Sequence, residues 1–465
     1  MHNRSDRSDC LLKEWKKTLR PAHDSPAIFD TKGKTLRTFT QIEEEARDFE
    51  RNLFRELQEG DVIAIQIGNH PAWPALLLAS LRRGLVALPL ERMMVERERD
   101  AALRICSAAA IVTDENERIA LKTLAHEPVP WTTVPSLLKL TSGTTAAPRA
   151  IRFRSEQLLT DCVQICETMG ITDGDLNFGV IPLSHSYGFS NLLTPLLLRG
   201  VAIVLSRDRI PRALLDDLAR TGATVFPGMP VFFQAFSEMR NVPPLPRLRL
   251  CISAGAPLPL EVAKNFRDKF KQAIHSFYGS SECGGICYDR EAALLEAGFV
   301  GEPLRGLKLE LLARDQPATQ VRVHSGAAGD GYFPEPEKEK LGAGSFVPDD
   351  LLTASADGFR IVGRISDLIN VAGKKVNPAE VEAELLQFSG VRAAVVFGRE
   401  SSLRNEEVSA CVVAEERVRE TELLGFCRDR LSGWQVPKRI FFVEEIPVNE
   451  RGKVNRRELA AKFRG

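Results

Sequence analysis

Short runs of β-branched and aliphatic residues alternate with amphipathic stretches along most of the chain, and no other pattern narrows the choice of fold as far. The run DVIAIQI at residues 61–67 is followed by HPAWPALLLASLRRG at 70–84 and by VALPL at 86–90. An apolar strand, a crossover helix and a second apolar strand form a βαβ unit with parallel strands. Gly and Pro separate similar segments further along, namely GVAIVLS, LLDDLARTG, ATVFPG, LRLCISAG and LEVAKNFRDKFKQ. The pattern predicts an α/β fold with a largely parallel sheet.

The length of the chain, 465 residues, exceeds what one ordinary core organises, so two or more domains are expected. Near residue 330 the composition changes, because SGAAGDGYFPEPEKEKLGAGS is rich in Gly, Pro and charge. Beyond it, DGFRIVGR, VRAAVVFG and EVSACVVAE are typical of strands, and NPAEVEAELLQFSG is typical of a helix with an Asn cap. We predict a large N-terminal domain of parallel and mixed sheets packed with helices, residues 1–364, and a small C-terminal α+β domain, residues 365–465.

Charge and cysteine usage exclude several classes of partner. The chain has 62 Lys and Arg against 62 Asp and Glu, so it has no net field to hold nucleic acid or an anionic membrane. The start of the chain is polar, and the most apolar stretch, 192–205, is broken by Pro195, Arg199 and Gly200. We therefore expect neither a signal peptide nor a membrane span. The nine cysteines do not have the spacing of a zinc site, which favours reduced thiols in the cytoplasm.

The stretch KLTSGTTAAPRAI, residues 139–151, combines small side chains with many hydroxyl groups. It follows the strand-like run VPSLLKL, so its amides and hydroxyls can approach an anion closely while an arginine supplies charge. Phosphate is the natural ligand. A Walker loop needs a second glycine and a Gly-Lys pair, both absent here, which excludes a P-loop NTPase. On these residues alone, a Ser/Thr-rich surface turn is an equal alternative.

Four further stretches follow in order: PLSHSYG at 182–188, FYGSSECGG at 277–285, DDLLTASADGFRIVGRISD at 349–367 and NERGKVNRREL at 449–459. Together with TSGTTAAPR they resemble the ordered motifs of the adenylate-forming superfamily, which contains acyl- and aryl-CoA synthetases, adenylation domains of peptide synthetases and luciferases. The resemblance implies that the large domain binds ATP and the acyl group and that the small domain is mobile. A serine hydrolase is a much less favoured alternative, because Cys283 stands where the motif G-x-S-x-G requires glycine.

The resemblance implies a site for the phosphates of ATP and for Mg²⁺. The residues that it places around the β- and γ-phosphates are Thr141, Ser142, Gly143, Thr144 and Thr145. Glu282 and Thr144 match oxygen donors to Mg²⁺, a hard cation that accompanies phosphates. Without these neighbours, Glu282 would be read as a solvated acid at a helix start. Ser281 takes the place of a threonine that contacts the α-phosphate.

The resemblance also implies how adenine is held. Tyr278 offers an aromatic face to the base, and Gly279 and Ser280 belong to the same motif. Gly255 and Ala256, in SAGAPL, match backbone that passes close to the purine.

The remaining implied roles concern the ribose and the chemistry. Asp350 matches the acid that accepts both ribose hydroxyls, and Arg364 donates to the same sugar. Lys453 matches the lysine that bridges the substrate carboxylate and the α-phosphate, a task that suits a flexible ammonium. His185 matches a gate to the acyl pocket. From the residues alone, Lys453 could be a solvated lysine and His185 a packed core histidine.

Several positions depart from the pattern of the superfamily. Ala146 and Ala150 stand where glycines are usual, so the phosphate loop should be stiffer. Arg149 replaces a lysine and brings a planar fork in place of a point charge, and we count it with the catalytic residues. Ser366 stands at the hinge position, which is usually Asp or Lys. The residues before Asp350 read VPD in place of a Thr-Gly pair.

The substrate class is partly readable. Relatives that activate amino acids place an aspartate near PLSHSYG to pair with the ammonium, whereas no acid occurs from Phe178 to Ser206. We therefore expect a fatty or aryl acid, with GFSNLLTPLLL and GMPVFFQAF lining its pocket. The predicted activity is formation of an acyl-adenylate from carboxylate and Mg·ATP, followed by transfer to a thiol. Coenzyme A is the first choice of acceptor. The phosphopantetheine of a free acyl carrier protein and a nucleotide-binding homologue without turnover stay open as alternatives.

Overall fold

The structure is a computed structural model that describes residues 9–116, 118–141, 149–208, 210–313, 315–316, 318–401, 405–447 and 454–463. The chain divides into two compact units, one of Met1–Glu310 and Arg322–Pro348 and the other of Leu311–Val321 and Asp349–Gly465. The smaller unit thus contains residues 349–364 as well as the predicted small domain. The functional boundary after Arg364 stays a prediction.

Helices and strands alternate through most of the chain. The helices are α1 (Cys10–Ala22), α2 (Phe39–Asp48), α3 (Trp73–Arg83), α4 (Glu96–Ile105), α5 (Ser155–Met169), α6 (Ser186–Gly188), α7 (Thr194–Arg199), α8 (Pro211–Thr221), α9 (Pro230–Glu238), α10 (Leu260–Phe270), α11 (Pro378–Leu386), α12 (Glu420–Arg430) and α13 (Arg456–Lys462). The strands are β1 (Pro26–Phe29), β2 (Thr35–Thr38), β3 (Val62–Gln66), β4 (Val86–Pro89), β5 (Ala108–Glu115), β6 (Arg118–Thr123), β7 (Leu137–Thr141), β8 (Arg149–Phe153), β9 (Leu176–Gly179), β10 (Ala202–Leu205), β11 (Val225–Gly228), β12 (Leu250–Ser253), β13 (Ile274–Ser280), β14 (Gly284–Tyr288), β15 (Phe299–Pro303), β16 (Lys308–Leu311), β17 (Val321–His324), β18 (Gly331–Phe333), β19 (Leu341–Gly342), β20 (Ser345–Phe346), β21 (Asp350–Ser355), β22 (Gly358–Arg364), β23 (Ile369–Val371), β24 (Lys374–Val376), β25 (Val391–Ser401), β26 (Asn405–Ala414) and β27 (Arg439–Phe442).

The predicted βαβ unit is confirmed in the larger unit, within a sheet of order β18-β8-β7-β4-β3-β5-β6. Strands β3 and β4 pair in parallel, with Val62 opposite Val86. Helix α3 connects them; it has Pro74 in its first turn and ends at Gly84, whose φ of +66° is a left-handed conformation that glycine adopts without strain. Strands β7 and β8 pair antiparallel beside β4 and carry the two ends of the predicted phosphate loop.

A second sheet places the other motifs of the larger unit. Its strands within that unit follow the order β2-β1-β10-β9-β11-β12-β13-β14-β15, and those from β10 to β13 pair in parallel. The carboxyl ends of parallel strands lie at one edge of a sheet, where ligands of open α/β folds bind. Strands β9, β12 and β13 therefore deliver PLSHSYG, SAGAPL and GSSECGG to the same edge.

The smaller unit has the predicted α+β composition. Strands β24-β23-β26-β25 form a sheet, and β27 adds to β26 in parallel. Helix α11 begins after Asn377, whose side chain accepts from the Ala379 N–H at 3.2 Å and donates to the Val362 carbonyl at 2.7 Å. This Asn cap was predicted, and its second bond ties the helix to strand β22. Buried aliphatic side chains from both helices α11 and α12 and from the sheet form the core.

Among the described residues, no helix combines the length and the hydrophobicity needed to cross a bilayer.

Candidate functional site

The two ends of the phosphate loop are held together by strand pairing. Thr141, the last residue of β7, lies opposite Arg149, the first residue of β8, and its Oγ1 donates to the Arg149 carbonyl at 3.2 Å. The side chain that was predicted to face phosphate thus fastens the base of the loop. The predicted phosphate ligands Ser142, Gly143, Thr144 and Thr145 lie outside the described residues.

Arg149 lies against an aromatic ring that no motif had indicated. Its guanidinium carbon is 3.7 Å from the centroid of Tyr332, and its Nη1 donates to Glu337 Oε1 at 2.6 Å. Tyr332 reaches this position because β18 pairs antiparallel with β8, with Tyr332 opposite Ile151. Alternate residues of a strand face one side of the sheet, so Arg149, Ile151 and Tyr332 share a face. Arg149 is therefore oriented by a cation–π contact and an ion pair at the end of the loop.

Tyr332 also connects the loop to the predicted metal ligand. Its hydroxyl donates to Glu282 Oε1 at 3.1 Å. Burial raises the pKa of Glu282, and the hydrogen bond from Tyr332 and the charges of Lys340 and Arg149 oppose that rise. One aromatic side chain thus contacts both Arg149 and Glu282, which lie far apart in the sequence.

The predicted adenine segment forms a tight turn between β13 and β14. The side chain of Ser280 accepts from the Cys283 N–H at 3.2 Å, and Tyr278 is buried on β13. A Cβ at Gly279 would lie 2.8 Å from the Gly284 carbonyl oxygen, so only glycine fits there. Across the same edge, Gly255 has a φ of +88° at the turn after β12, and Ala256 next to it is exposed.

Ser281 and the PLSHSYG segment are in direct contact. Ser186 Oγ donates to Ser281 Oγ at 2.9 Å, and the ring of Tyr187 lies 6.0 Å from that of Phe277. Tyr187 is anchored by its hydroxyl, which donates to the Ile252 carbonyl at 3.2 Å. The predicted α-phosphate contact and the predicted acyl gate are therefore neighbours.

His185 caps the short helix α6. Its Nδ1 accepts from the Tyr187 N–H at 3.2 Å. The cap fixes the ring's position at the start of the segment that carries Tyr187. Its role as an acyl gate stays a prediction.

The residues proposed to line the acyl pocket are largely core residues. Phe233 and Phe236 of α9 are buried, and Phe233 lies 5.4 Å from Phe226 and 5.2 Å from Phe266, edge to face in both cases. Their packing explains the apolar run GMPVFFQAF without a ligand. Sequence reasoning could not separate lining from core, because both require the same residue types.

The smaller unit brings the two predicted ribose ligands together. Asp350 at the start of β21 lies opposite Arg364 at the end of β22, and Arg364 Nε donates to Asp350 Oδ1 at 2.6 Å. Asp350 is buried, whereas about half of the Arg364 side chain is exposed. The pairing follows from the turn at residues 356–357, just before Gly358, which joins β21 to β22.

Lys453 lies outside the described residues, but the helix that follows it is well anchored. Arg456 of α13 donates from Nη2 to Glu382 Oε1 at 2.6 Å, and its Nη1 lies 3.4 Å from Asp367 Oδ2. Asp367 directly follows Ser366, the predicted hinge residue. Sequence reasoning missed Arg456, because NRREL offers two arginines without indicating which one contacts an acid.

Comparison with known proteins agrees with this architecture. The sequence profile described as "AMP-binding enzyme" matches residues 15–330, and that of the "AMP-binding enzyme C-terminal domain" matches residues 380–453. A feruloyl-CoA synthase from Amycolatopsis sp is 29% identical, covering 88% of this chain and 90% of the relative. A long-chain-fatty-acid–CoA ligase from Salmonella typhimurium is 26% identical, covering 99% and 96%. ATP-bound MatB from Rhodopseudomonas palustris has a similar structure, with a TM-score of 0.84 at 23% identity, covering 97% and 98% of the two chains.

Proposed function

The chain belongs to the AMP-binding enzyme family, and we propose that it is an acid–thiol ligase that joins a fatty or aryl acid to coenzyme A. In the first step, a carboxylate oxygen attacks the α-phosphorus of ATP, and the bond to pyrophosphate breaks to leave an acyl-adenylate. In the second step, the thiol sulfur, having lost its proton, attacks the carbonyl carbon, and the carbon–oxygen bond to AMP breaks. The names of the two sequence relatives, a feruloyl-CoA synthase and a long-chain-fatty-acid–CoA ligase, support the second step, and the match to the AMP-binding enzyme family supports the first.

The observation that carries the proposal is the contact of Tyr332 with both Arg149 and Glu282. It brings a cation and a carboxylate of two separate motifs to the base of one hydroxyl-rich loop. We infer that Thr141, Ser142, Gly143, Thr144 and Thr145 surround the β- and γ-phosphates, with Arg149 at the edge of that site. Ser281, in contact with Ser186, is then the α-phosphate ligand closest to the acyl gate.

The residues fit Mg²⁺ as a partner of the nucleotide. Glu282 supplies a hard oxygen ligand whose buried position favours a cation, and Thr144 supplies a hydroxyl in the predicted loop. The described residues contain no group of three or more acidic, His or Cys side chains that could hold a metal. Mg²⁺ commonly takes one or two carboxylates and completes its shell with phosphates and water, which is the donor set proposed. When bound, it supplies positive charge that neutralises the phosphates.

The nucleoside and the reacting carboxylate are assigned to the other motif residues. Adenine lies against Tyr278 and the backbone of Gly279, Ser280, Gly255 and Ala256. Asp350 and Arg364, already paired, accept and donate at the ribose hydroxyls. Lys453 neutralises the charge that builds up between carboxylate and α-phosphate, and His185 gates the acyl pocket. The small domain, residues 365–465, pivots near Ser366 between the two steps.

The acid that is activated carries no α-amino group. No acidic residue lies between Phe178 and Ser206 in the sequence. One carboxylate, Asp161, does reach this segment from α5, but its Oδ2 accepts from Ser190 and its Oδ1 from the Gly285 N–H. Because Asp161 is only 4% exposed, it does not offer a substrate ammonium an open partner. The free cysteine thiols are in keeping with a cytoplasmic enzyme.

The experiment that tests this function measures pyrophosphate release from ATP across a panel of fatty, aryl and amino acids. We expect release with fatty or aryl acids, followed by AMP release when coenzyme A is added. AMP release only with a phosphopantetheinylated carrier protein would move the acceptor to the carrier. No pyrophosphate with any acid would contradict the ligase and favour a nucleotide-binding protein without turnover.

A further inference from the structure

A lysine is buried in β7, two residues before the phosphate loop. Lys139 is 5% exposed, and its Nζ lies over the rings of Phe153 and Phe189, at 4.7 and 5.4 Å from their centroids. Burial lowers the pKa of Lys139, and the charge of Asp161 is the largest influence that opposes this. A desolvated cation in such a place needs negative charge nearby to persist.

Asp161 is the carboxylate that reaches the same segment, because Ser190, which donates to it, directly follows Phe189, whose ring centroid lies 5.4 Å from the Lys139 ammonium. Asp161 also joins two motifs of the site. It is 4% exposed, its Oδ2 accepts from Ser190 Oγ at 2.5 Å, and its Oδ1 accepts from the Gly285 N–H at 3.0 Å. Ser190 follows the PLSHSYG segment, and Gly285 follows the turn that carries Glu282. One side chain therefore links the predicted acyl gate to the predicted α-phosphate segment.

The backbone is shaped around this carboxylate. Gly284 has a φ of +70°, and a Cβ there would lie 2.0 Å from Asp161 Oδ1. Any other residue at position 284 would displace either the carboxylate or the strand. The close approach shows that the position of Asp161 and the position of β14 are set together.

We propose that Lys139 and Asp161 act as two buried opposite charges that, without a direct ion pair, together position three segments of the site: β7 before the phosphate loop, residues 185–190, and residues 280–285. The proposal rests on the proposed function, since the geometry it serves is that of carboxylate and α-phosphate in adenylate formation. The Lys139 ammonium supplies positive charge near the carboxyl group of Asp161, each of whose oxygens accepts one of the two bonds. Both are positioning residues, since neither is assigned a contact with substrate. A small misplacement of reacting groups is costly, because a shift of about 1 Å can reduce a rate on the order of 10²-fold.

Charge-only variants test the pair. Asn at position 161 can keep both hydrogen bonds, since its Oδ1 can accept from Gly285 and its Nδ2 can donate to Ser190, while Met at position 139 keeps the length of the lysine. We expect Lys139→Met and Asp161→Asn each to lower kcat for pyrophosphate formation about 10- to 100-fold, with the KM for ATP within about threefold of wild type. The double variant removes both charges and should recover to within about threefold of the wild-type kcat.

Two controls separate charge balance from general damage. Lys139→Met combined with Asp161→Ala also removes both charges but loses the bonds to Ser190 and Gly285, so it should stay slow. Asp175 is a matched buried carboxylate outside the site, with Arg249 donating to it. Asp175→Asn should lower the free energy of unfolding while leaving kcat within about twofold of wild type.

The double charge-only variant, Lys139→Met combined with Asp161→Asn, tests whether the two charges position the site. If the double variant folds and its kcat for pyrophosphate formation exceeds that of the slower single variant, the two charges position the site. If it does not fold, is no faster than that single variant, or loses only affinity for ATP, the proposal is wrong. A wild-type protein that releases no pyrophosphate with any acid would count against the proposed function instead.

In that case, urea unfolding would be measured for wild type, the two charge-only single variants and their double variant. Strictly additive effects of the two substitutions on the free energy of unfolding would contradict the proposed interaction of the two charges.

Discussion

At the residue scale, the side chain that replaces the usual lysine of the phosphate loop has two partners of its own. Arg149 stacks on Tyr332 and pairs with Glu337, so contacts within the protein restrain its guanidinium. A planar guanidinium can keep such a stack while its remaining N–H groups point elsewhere. The substitution of lysine by arginine therefore comes with a local environment that suits arginine.

Substitutions at Arg149 should change ATP affinity in a graded way. Arg149→Lys should bind ATP within about tenfold of wild type, or 1.4 kcal/mol, because a cation is retained. Arg149→Ala should bind more weakly than Arg149→Lys. Glu337→Gln should match or exceed wild-type affinity by a few-fold, since it removes an exposed acid that competes with phosphate. Calorimetric titration with Mg·ATP measures all three, and unchanged affinity in the alanine variant would exclude a contact between this side chain and the nucleotide.

Glu282 makes a prediction about pH. Because burial raises its pKa in the folded protein, the folded state binds more protons than the unfolded state between the two pKa values. Stability from this group is therefore present at low pH and is lost as pH rises through the folded pKa. Glu282→Gln removes the titration, so it should stabilise the protein more at pH 8 than at pH 5 while it lowers the rate of pyrophosphate release.

Urea unfolding of wild type and Glu282→Gln at both pH values checks this. Tyr332→Phe is the matched variant, because it removes the hydroxyl that donates to Glu282 and keeps the ring beneath Arg149. Equal stabilisation of Glu282→Gln at pH 5 and pH 8 would show that the carboxylate does not carry this penalty.

At the element scale, the parts that could be predicted are those with a local signal. The strand–helix–strand unit from β3 to β4 and the Asn cap of α11 follow from periodicity and capping residues within a few positions. Tyr332 could not be predicted, because its strand pairs with β8 about 180 residues away and its own surroundings are rich in Gly and Pro. Lys139 was equally hidden, since in VPSLLKL it reads as the polar residue of a half-buried strand. The sequence therefore indicated the motifs, whereas tertiary contacts determine how Arg149 and Glu282 are held.

Two glycines with similar backbone conformations test how closely the elements are packed around Asp161. Gly170 has a φ of +64° and nothing within 4 Å of a built Cβ, whereas Gly284 has a φ of +70° and a Cβ there would meet Asp161. Gly170→Ala should cost about 1 kcal/mol of stability from backbone strain alone. Gly284→Ala should cost about 1–3 kcal/mol more, from overpacking. Equal free energies of unfolding for the two variants would mean that α5 and β14 are not tightly apposed.

At the scale of the whole molecule, the proposed residues are divided between the two units. The phosphate and adenine residues belong to the larger unit, and the ribose pair and Lys453 belong to the smaller one. Of these residues, Lys453 lies in the proposed small domain, residues 365–465, which we propose takes part in two successive steps. A residue of that domain can then matter for one step and be dispensable for the other.

Lys453→Ala should separate the two steps. Loss of one cationic donor at a developing charge reduces the rate on the order of 10²- to 10³-fold, so acyl-adenylate should form very slowly from acid and ATP. Supplied with synthetic acyl-adenylate, the variant should still transfer the acyl group to coenzyme A at close to the wild-type rate. Lys462→Ala, on the exposed side of α13, is the control. Normal adenylation by Lys453→Ala would make it a solvated lysine, and equal loss in both steps would indicate a folding defect.

The fate of one carboxyl oxygen atom of the substrate tests most directly whether the reaction passes through an acyl-adenylate. A carboxylic acid labelled with ¹⁸O in its carboxyl group is incubated with ATP, Mg²⁺ and coenzyme A, and the products are analysed by mass spectrometry. If the carboxylate attacks the α-phosphorus and the thiol later breaks the carbon–oxygen bond, AMP carries one ¹⁸O atom and the pyrophosphate carries none. Label in inorganic phosphate together with formation of ADP, or thioester formation with unlabelled AMP, would contradict the acyl-adenylate.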